Sequence, residues 1–330
     1  MKTILNDSKD PTFNLALEEY VLKELDSDED FVLLWQNANS VIIGRNQNTY
    51  EEINHELVKE HDVKVVRRIT GGGAVYHDLG NLNFSFITKS LKDNLNNYRK
   101  FTDPVIKVLN DLGVPAEFQG RNDIVVDGKK ISGNAQAWHK NKMLHHGTIL
   151  FDADLAFVAN VLNVKQDKIE SKGIKSNRAR VTNIKPLLYE AIDMSTFKLK
   201  LLEALLQTTD FTKVNYTLNE NDLTKIRKLQ IEKYSQWIWN YGESPNSNII
   251  KEKRYPFGNL QLHFDLREGS IKNLLIYGDY LDTGDTKLIS DALEDAPYIL
   301  KECLERLNNG IYENVFENLE IEDFLYCLFS

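Results

Sequence analysis

The residues of this 330-residue chain best suited to handling an anion are Gly71-Gly72-Gly73, preceded by the pair Arg67-Arg68, and a lysine, Lys130, just past an Asp127-Gly128 turn. A triple glycine tolerates positive φ and lets a ligand approach bare peptide N–H groups. The β-branched run Val63 to Val66 precedes it and the alternating run Asn81 to Thr88 follows, so the glycines are predicted to lie between strands. The pattern is not a dinucleotide-binding turn. Nor is it a phosphate loop, since no four-residue gap leads to Gly-Lys-Ser/Thr and no lysine follows the glycines directly. Taken alone, three glycines also suit an ordinary turn.

Three further blocks lie downstream. Gly120-Arg121-Asn122-Asp123 opens a predicted strand, Ile124 to Val126, which turns at Asp127-Gly128 and returns through Lys129 to Ala135. Lys130 leaves that turn as a flexible point charge able to reach a phosphate, although by residue type it also reads as a solvated lysine like Lys129. Asp123 suits the phosphate side of a Mg²⁺ ion, or a cap at a strand start. His145-His146-Gly147-Thr148 comes next. Neighbours on a strand face opposite ways, so the two histidines do not share a metal, and only His146 is expected on the ligand side. Finally, Lys172 to Asn183 lacks helical or strand periodicity and reads as a long mobile loop. Around it, Lys165 to Arg180 carries six basic residues against two acidic ones. Such a run suits an anionic partner, or simply a solvated loop.

In order and spacing, these blocks resemble the lipoate–protein ligase A family of the biotin/lipoate ligase superfamily, with lesser support from Gly44 to Asn48 and Asn14 to Glu19. The resemblance spans almost the whole chain. It implies an α+β fold, a mixed sheet with flanking helices, and a small α+β accessory domain at the C-terminal end. It also implies ATP-dependent conversion of lipoate to lipoyl-AMP, then transfer of the lipoyl group to a lysine on lipoyl domains of 2-oxoacid dehydrogenase complexes or on the glycine-cleavage H protein. Activation is chemically necessary, because a carboxylate does not acylate an amine at neutral pH. Charge accumulates on non-bridging oxygens at the α-phosphate, where positioned donors supply most of the catalysis. The resemblance gives Lys130 that role. It implies ATP contacts at Arg68, Gly73, Ala74, Val75, Tyr76, Asn81, Asp123 and Lys130, and lipoate contacts at Arg68, Gly72, Gly73, Lys130 and His146. Asp123 is implied beside Mg²⁺. Lys172, Gly173, Ser176, Arg178 and Arg180 resemble the loop that closes over the adenylate. Ala137 departs from the family, which often has a basic or polar residue there.

Composition and pattern set the outer limits. With 42% hydrophobic residues the chain can bury a sizeable core. Lipoate needs an apolar tunnel, for which Trp35, Val75, Phe84 and Ala135 are candidates, though such residues also fill ordinary cores. No eighteen-residue apolar stretch occurs and the N-terminus lacks a signal peptide's apolar core, so a cytoplasmic protein is expected, with neither a membrane nor a nucleic-acid partner. Of the net charge of −9, residues 251–330 carry −8, eight basic against sixteen acidic residues. Helices are expected at Thr12 to Leu25, Tyr50 to His61, Tyr98 to Leu112, Asp154 to Leu162, Thr196 to Leu206, Asn221 to Trp239 and Lys287 to Leu307. Tyr241 to Asn248 punctuates the chain, giving a catalytic domain over 1–245 and an accessory domain over 246–330. The rival is an octanoyl or lipoyl transferase working through a thioester, which needs a thiolate in the catalytic part. Both cysteines, Cys303 and Cys327, lie far downstream. A chain that only binds an acyl group or nucleotide remains the non-enzymatic alternative.

Overall fold

A computed structural model describes residues 1–89, 94–162, 181–241, 249–267, 269–279, 284–308, 310–312, 315–316 and 319–329. After β1 (Lys2–Thr3), α1 (Pro11–Lys23) starts where Asp10 accepts the Thr12 N–H and Pro11 sits in the first turn. Strands β2 (Phe31–Trp35) and β3 (Ser40–Ile43) follow, both built mostly from apolar and β-branched residues. The helix expected from Tyr50 to His61 is instead two, α2 (Thr49–Glu52) and α3 (His55–Glu60). Asn54 interrupts it in extended conformation, its side chain accepting the Leu57 N–H to start the second helix.

Next come β4 (Lys64–Arg67), β5 (Val75–His77), β6 (Asn81–Lys89) and α4 (Tyr98–Asp111), then β7 (Glu117–Gln119), β8 (Asp123–Val126), β9 (Lys129–His139) and β10 (Lys142–Leu150). The glycines join β4 to β5, which flank β3 in a small sheet. The main sheet has the order β1-β2-β6-β10-β9-β8-β7, with β1 and β2 parallel and the other neighbours antiparallel. Asp127 and Gly128 both have positive φ, 49° and 71°, as a tight two-residue hairpin turn requires. Helices α5 (Leu155–Val161), α6 (Met194–Leu206), α7 (Glu220–Leu229) and α8 (Trp237–Asn240) follow, with a π-helical turn at Gln230–Tyr234 where one continuous helix was expected.

Strand alternation divides the main sheet. Val32, Leu34, Leu82, Phe84, Phe86, Ile124, Ile131 and Ile149 point to one face, where they form the core with Phe101 and Leu109 of α4 and Phe197 and Leu201 of α6. Burying each of the larger side chains contributes roughly 1.5–3 kcal/mol. Asn81, Asn83 and Ser85 alternate with Leu82, Phe84 and Phe86, and so belong to the other face.

By contact the chain divides into two compact units: residues 1–42, 52–66 and 75–240, and residues 43–51, 67–74 and 241–330. The second contains an antiparallel sheet of β11 (Ile249–Tyr255), β12 (Gly258–Arg267) and β13 (Ser270–Gly278) with helices α9 (Lys287–Leu293), α10 (Leu300–Leu307) and α11 (Ile321–Phe329) around its own core. The α+β reading therefore holds. The helix expected from Lys287 to Leu307 is broken, because Asp295 takes φ 61° and Pro297 follows it. Among the described residues no helix is long and apolar enough to cross a membrane.

Candidate active site

Lys130 reaches the polar face of the main sheet through a β-bulge. Ile124 pairs with Ser132 but its neighbour Val125 pairs with Lys130, so one step along β8 matches two along β9. Without the extra residue, Lys130 would share the apolar face with Ser132 and Asn134. The bulge turns it over. Its Nζ lies 2.6 Å from Asp123 Oδ1, both side chains being partly exposed. Gly133 stands opposite Asp123, and a Cβ there would fall 2.9 Å from Lys130 Nζ, so the glycine leaves room for the lysine stem. The Lys130 carbonyl accepts the Thr182 N–H at 3.0 Å, anchoring the chain just beyond residues 163–180 beside this strand. Lys172, Gly173, Ser176, Arg178 and Arg180 lie outside the described residues.

Further along the same face, register aligns Ala135 with His146 and His146 with Ser85, and Thr148 with Asn83. His146 Nδ1 lies 2.9 and 3.0 Å from the two oxygens of Glu18, which α1 delivers in a buried position. Glu18 Oε1 also accepts the Ser85 hydroxyl at 2.6 Å, and Ser85 Oγ accepts the Trp35 indole N–H at 2.8 Å. The four residues thus form a linear polar chain, and Ala137 comes next on this face after Ala135, paired with Leu144. His145 faces the opposite way into the aromatic core. So does Phe84, which removes it from the tunnel candidates on the Lys130 face, while Trp35 and Ala135 stay there. Asn81 is fully buried. Its Nδ2 donates to Asn83 Oδ1 at 3.1 Å, and its Oδ1 has no hydrogen-bond partner among the described residues, a cost unless a ligand or water donates to it.

The glycine loop is organised by its two arginines. Arg68 Nη2 donates to the carbonyls of Gly71 at 2.6 Å and Gly73 at 2.9 Å, and its Nε donates to Thr70 Oγ1 at 2.9 Å. A planar trans peptide points its C=O and N–H in opposite directions. The N–H groups of Gly72 and Ala74 therefore turn away from the guanidinium. Gly73 is exposed, and a Cβ added to it meets nothing within 4 Å. Arg67 reaches the other way, donating through Nη1 to the carbonyls of Gly44, Arg45 and Gln47 at 2.9, 3.1 and 2.6 Å and through Nη2 to Thr49 Oγ1 at 2.8 Å. Burial pulls its guanidinium down to about 10, so it stays cationic at neutral pH. A Cβ on Gly44 would lie 1.9 Å from the Gly72 carbonyl oxygen, which fixes glycine there. Beyond the loop, Val75 is half-buried. Tyr76 packs its ring on Phe157 at 5.0 Å and donates to Asn39 Oδ1 at 2.9 Å, so its ring faces protein; burial lifts its phenol to about 12.

Sequence reasoning assigned no site role to Glu18 or Thr148, which it met only within longer blocks, nor to Asn83 or Ser85. A signal existed in β6, where Asn81, Asn83 and Ser85 alternate with large apolar residues in a strand buried on both faces.

Residues 10–206 match the lipoyl protein ligase A/B catalytic domain, and residues 244–328 match the bacterial lipoate protein ligase C-terminus. The chain therefore belongs to the lipoyl protein ligase A/B family. It is 48% identical over 324 residues to lipoate-protein ligase LplJ of Bacillus subtilis, with 97% of each chain covered. Among solved structures, P. falciparum LipL1 in complex with lipoate superposes with a TM-score of 0.81 at 29% identity, covering 100% of this chain and 98% of that one. A lipoate-protein ligase A bound with ATP gives 0.63 at 29% identity, covering 73% and 98%.

Proposed function

We propose that this chain activates lipoate with ATP and passes the lipoyl group to lysine side chains of carrier proteins. The observation that carries the reading is the bulge that turns Lys130 onto the polar sheet face 2.6 Å from Asp123, in a member of the lipoyl ligase family. Support comes from a relative named as a lipoate-protein ligase and from neighbours that bind lipoate and ATP.

In the first half-reaction a lipoate carboxylate oxygen attacks the α-phosphorus. The new C–O–P link forms as the bond to pyrophosphate breaks. Lys130, steadied by Asp123, places its ammonium against the non-bridging oxygens, where charge accumulates. Arg68 holds the glycine loop so that the amides of Gly72 to Tyr76 serve the nucleotide and the lipoyl carbonyl, and Asn81 offers its unpaired Oδ1 to an adenine N–H. His146, held by Glu18, borders the acyl chain. In the second half-reaction a carrier ε-amine attacks the acyl carbon, the amide bond forms, a proton is released and AMP leaves, so no enzyme nucleophile is needed.

Mg²⁺ usually keeps few protein ligands and takes phosphate oxygens instead. Asp123, partly exposed beside Lys130, is the carboxylate that would touch such an ion. When bound, it would neutralise phosphate charge. We assign residues 1–245 to catalysis and 246–330 to an accessory role, a division supported by the two family matches. Lys172, Gly173, Ser176, Arg178 and Arg180, outside the described residues, are assigned to the adenylate by the family resemblance. Lipoyl domains of 2-oxoacid dehydrogenase complexes and the glycine-cleavage H protein are the proposed carriers, met in the cytoplasm.

The thioester alternative lacks a nucleophile. Both cysteines are buried in the second unit, where burial pushes the Cys327 thiol up to about 11. Lipoate-dependent pyrophosphate exchange tests the proposal, with a loss of about a hundredfold or more expected for Lys130→Ala. Exchange that survives that substitution would remove Lys130 from the mechanism.

A further inference from the structure

His145 has no role in the chemistry above, yet it is fully buried on the apolar face of the main sheet. Its ring stacks on Phe101 at 4.8 Å and lies 6.2 Å from Phe84, with Phe86 and Tyr98 also around it. A polar ring in such a place is costly unless both nitrogens are bonded, and both are. Gln136 Nε2 lies 3.1 Å from Nδ1 and Asn134 Oδ1 lies 3.2 Å from Nε2. Asn134 turns its Nδ2 to the Asn122 carbonyl at 2.9 Å and to Ser132 Oγ at 3.3 Å, which leaves Oδ1 to accept. This assigns the ring proton to Nε2, with Nδ1 accepting from Gln136. Gln136 Oε1 in turn accepts the Asn96 N–H at 2.9 Å.

The chain of bonds continues toward the site. Asn134 N–H donates to the Asn122 carbonyl at 3.0 Å, and Asn122 Nδ2 donates back to the Asn134 carbonyl at 2.6 Å. Asn122 is joined directly to Asp123, the partner of Lys130. Gly147 keeps the space this requires, since a Cβ there would stand 2.2 Å from Asn134 Oδ1. Phenylalanine would keep an aromatic ring among these neighbours. What it lacks is the donor and acceptor.

We propose that His145 is a positioning residue for the adenylation step: by orienting Asn134 it fixes Asn122, and so the place from which Asp123 holds Lys130. The inference rests on the assignment of Lys130 above and acts one step behind it.

The test compares His145→Phe, His145→Gln and Asn134→Ala in lipoate-dependent pyrophosphate exchange, together with hydrogen exchange of the amides of residues 122–124. His145→Phe keeps the ring contacts and loses both bonds. Its turnover is expected to fall roughly tenfold to a hundredfold, the scale of a small misplacement, with a larger effect on kcat than on KM for ATP. Exchange at residues 122–124 should accelerate. His145→Gln restores a donor and an acceptor and should recover much of the loss, whereas Asn134→Ala should reproduce it without adding to it in the double variant. Wild-type turnover and protection in His145→Phe, or equal losses in the Phe and Gln variants, would overturn the inference. Should His145→Phe not fold, Asn134→Ala with wild-type turnover and protection would do so. Hydrogen exchange requires no turnover, so it judges His145 even where the wild-type chain shows no pyrophosphate exchange and the assignment of Lys130 itself fails.

Discussion

Replacing Arg67 with methionine should loosen the segment from Gly44 to Thr49 and, with it, the turn that faces the glycine loop. Arg67 bonds three carbonyls and one hydroxyl of that segment, and the bonds to Gly44 and Gln47 are wholly buried. The Gly44 carbonyl keeps the Gln47 N–H at 3.1 Å, so the Gln47 carbonyl is the acceptor most affected, and a buried acceptor left unpaired costs about 1–3 kcal/mol. That is a large share of the about 5–15 kcal/mol that holds a typical domain folded. Because the chain has two compact units, a single melting temperature would blur the effect. Local hydrogen exchange is the better assay. The amides of residues 45–49 should lose protection by an amount equivalent to those roughly 1–3 kcal/mol or to the whole local stability, whichever is smaller. Arg67→Lys should fall between, since one ammonium cannot reach four acceptors in a planar fork. Unchanged protection of residues 45–49 in Arg67→Met would refute the reasoning.

Three further outcomes are expected. Gly44→Ala should displace the glycine loop and impair both folding and ATP use, because its Cβ would overlap the Gly72 carbonyl, whereas Gly73→Ala should fold normally and raise only the KM for ATP; equal melting behaviour of the two variants would contradict this. Burial, with His146 as a lesser cause, holds the His145 imidazole well below its ordinary 6.5. Its contribution to stability is therefore present above about pH 6.5 and lost as pH falls toward the folded value, so the stability gap between wild type and His145→Phe should shrink between about pH 8 and about pH 5 in denaturant titrations. Finally, the double variant Cys303→Ala, Cys327→Ala should still lipoylate a carrier domain, measured by intact mass; complete loss in a folded protein would revive the thioester route.

Much of this architecture is legible in residue pattern. The Asp127-Gly128 turn announces the hairpin that presents Lys130, and Pro11 and Gly113 mark helix ends that the structure keeps. What escapes a linear reading depends on partners distant in sequence. The bulge at Ile131 shows no local signal, since only the register of β8 against β9 reveals that Lys130 changes faces. Likewise the π-helical turn arises where Lys233 and Tyr234 bond Glu19, some two hundred residues away. Strand β11, Ile-Ile-Lys-Glu-Lys-Arg-Tyr, hides because charged residues occupy its edge position. Glu18 reads as one of many helix carboxylates until α1 delivers it to His146.

The most direct test of the chemistry follows the carboxylate oxygens. Lipoate labelled with oxygen-18 in its carboxyl group is incubated with the protein, ATP, Mg²⁺ and a carrier domain, and the released AMP is weighed by mass spectrometry. Attack on the α-phosphorus followed by transfer to the amine leaves one heavy oxygen on each AMP, with the carrier heavier by one lipoyl group. Unlabelled AMP alongside a lipoylated carrier, or a lipoyl thioester on the protein itself, would contradict activation through the adenylate.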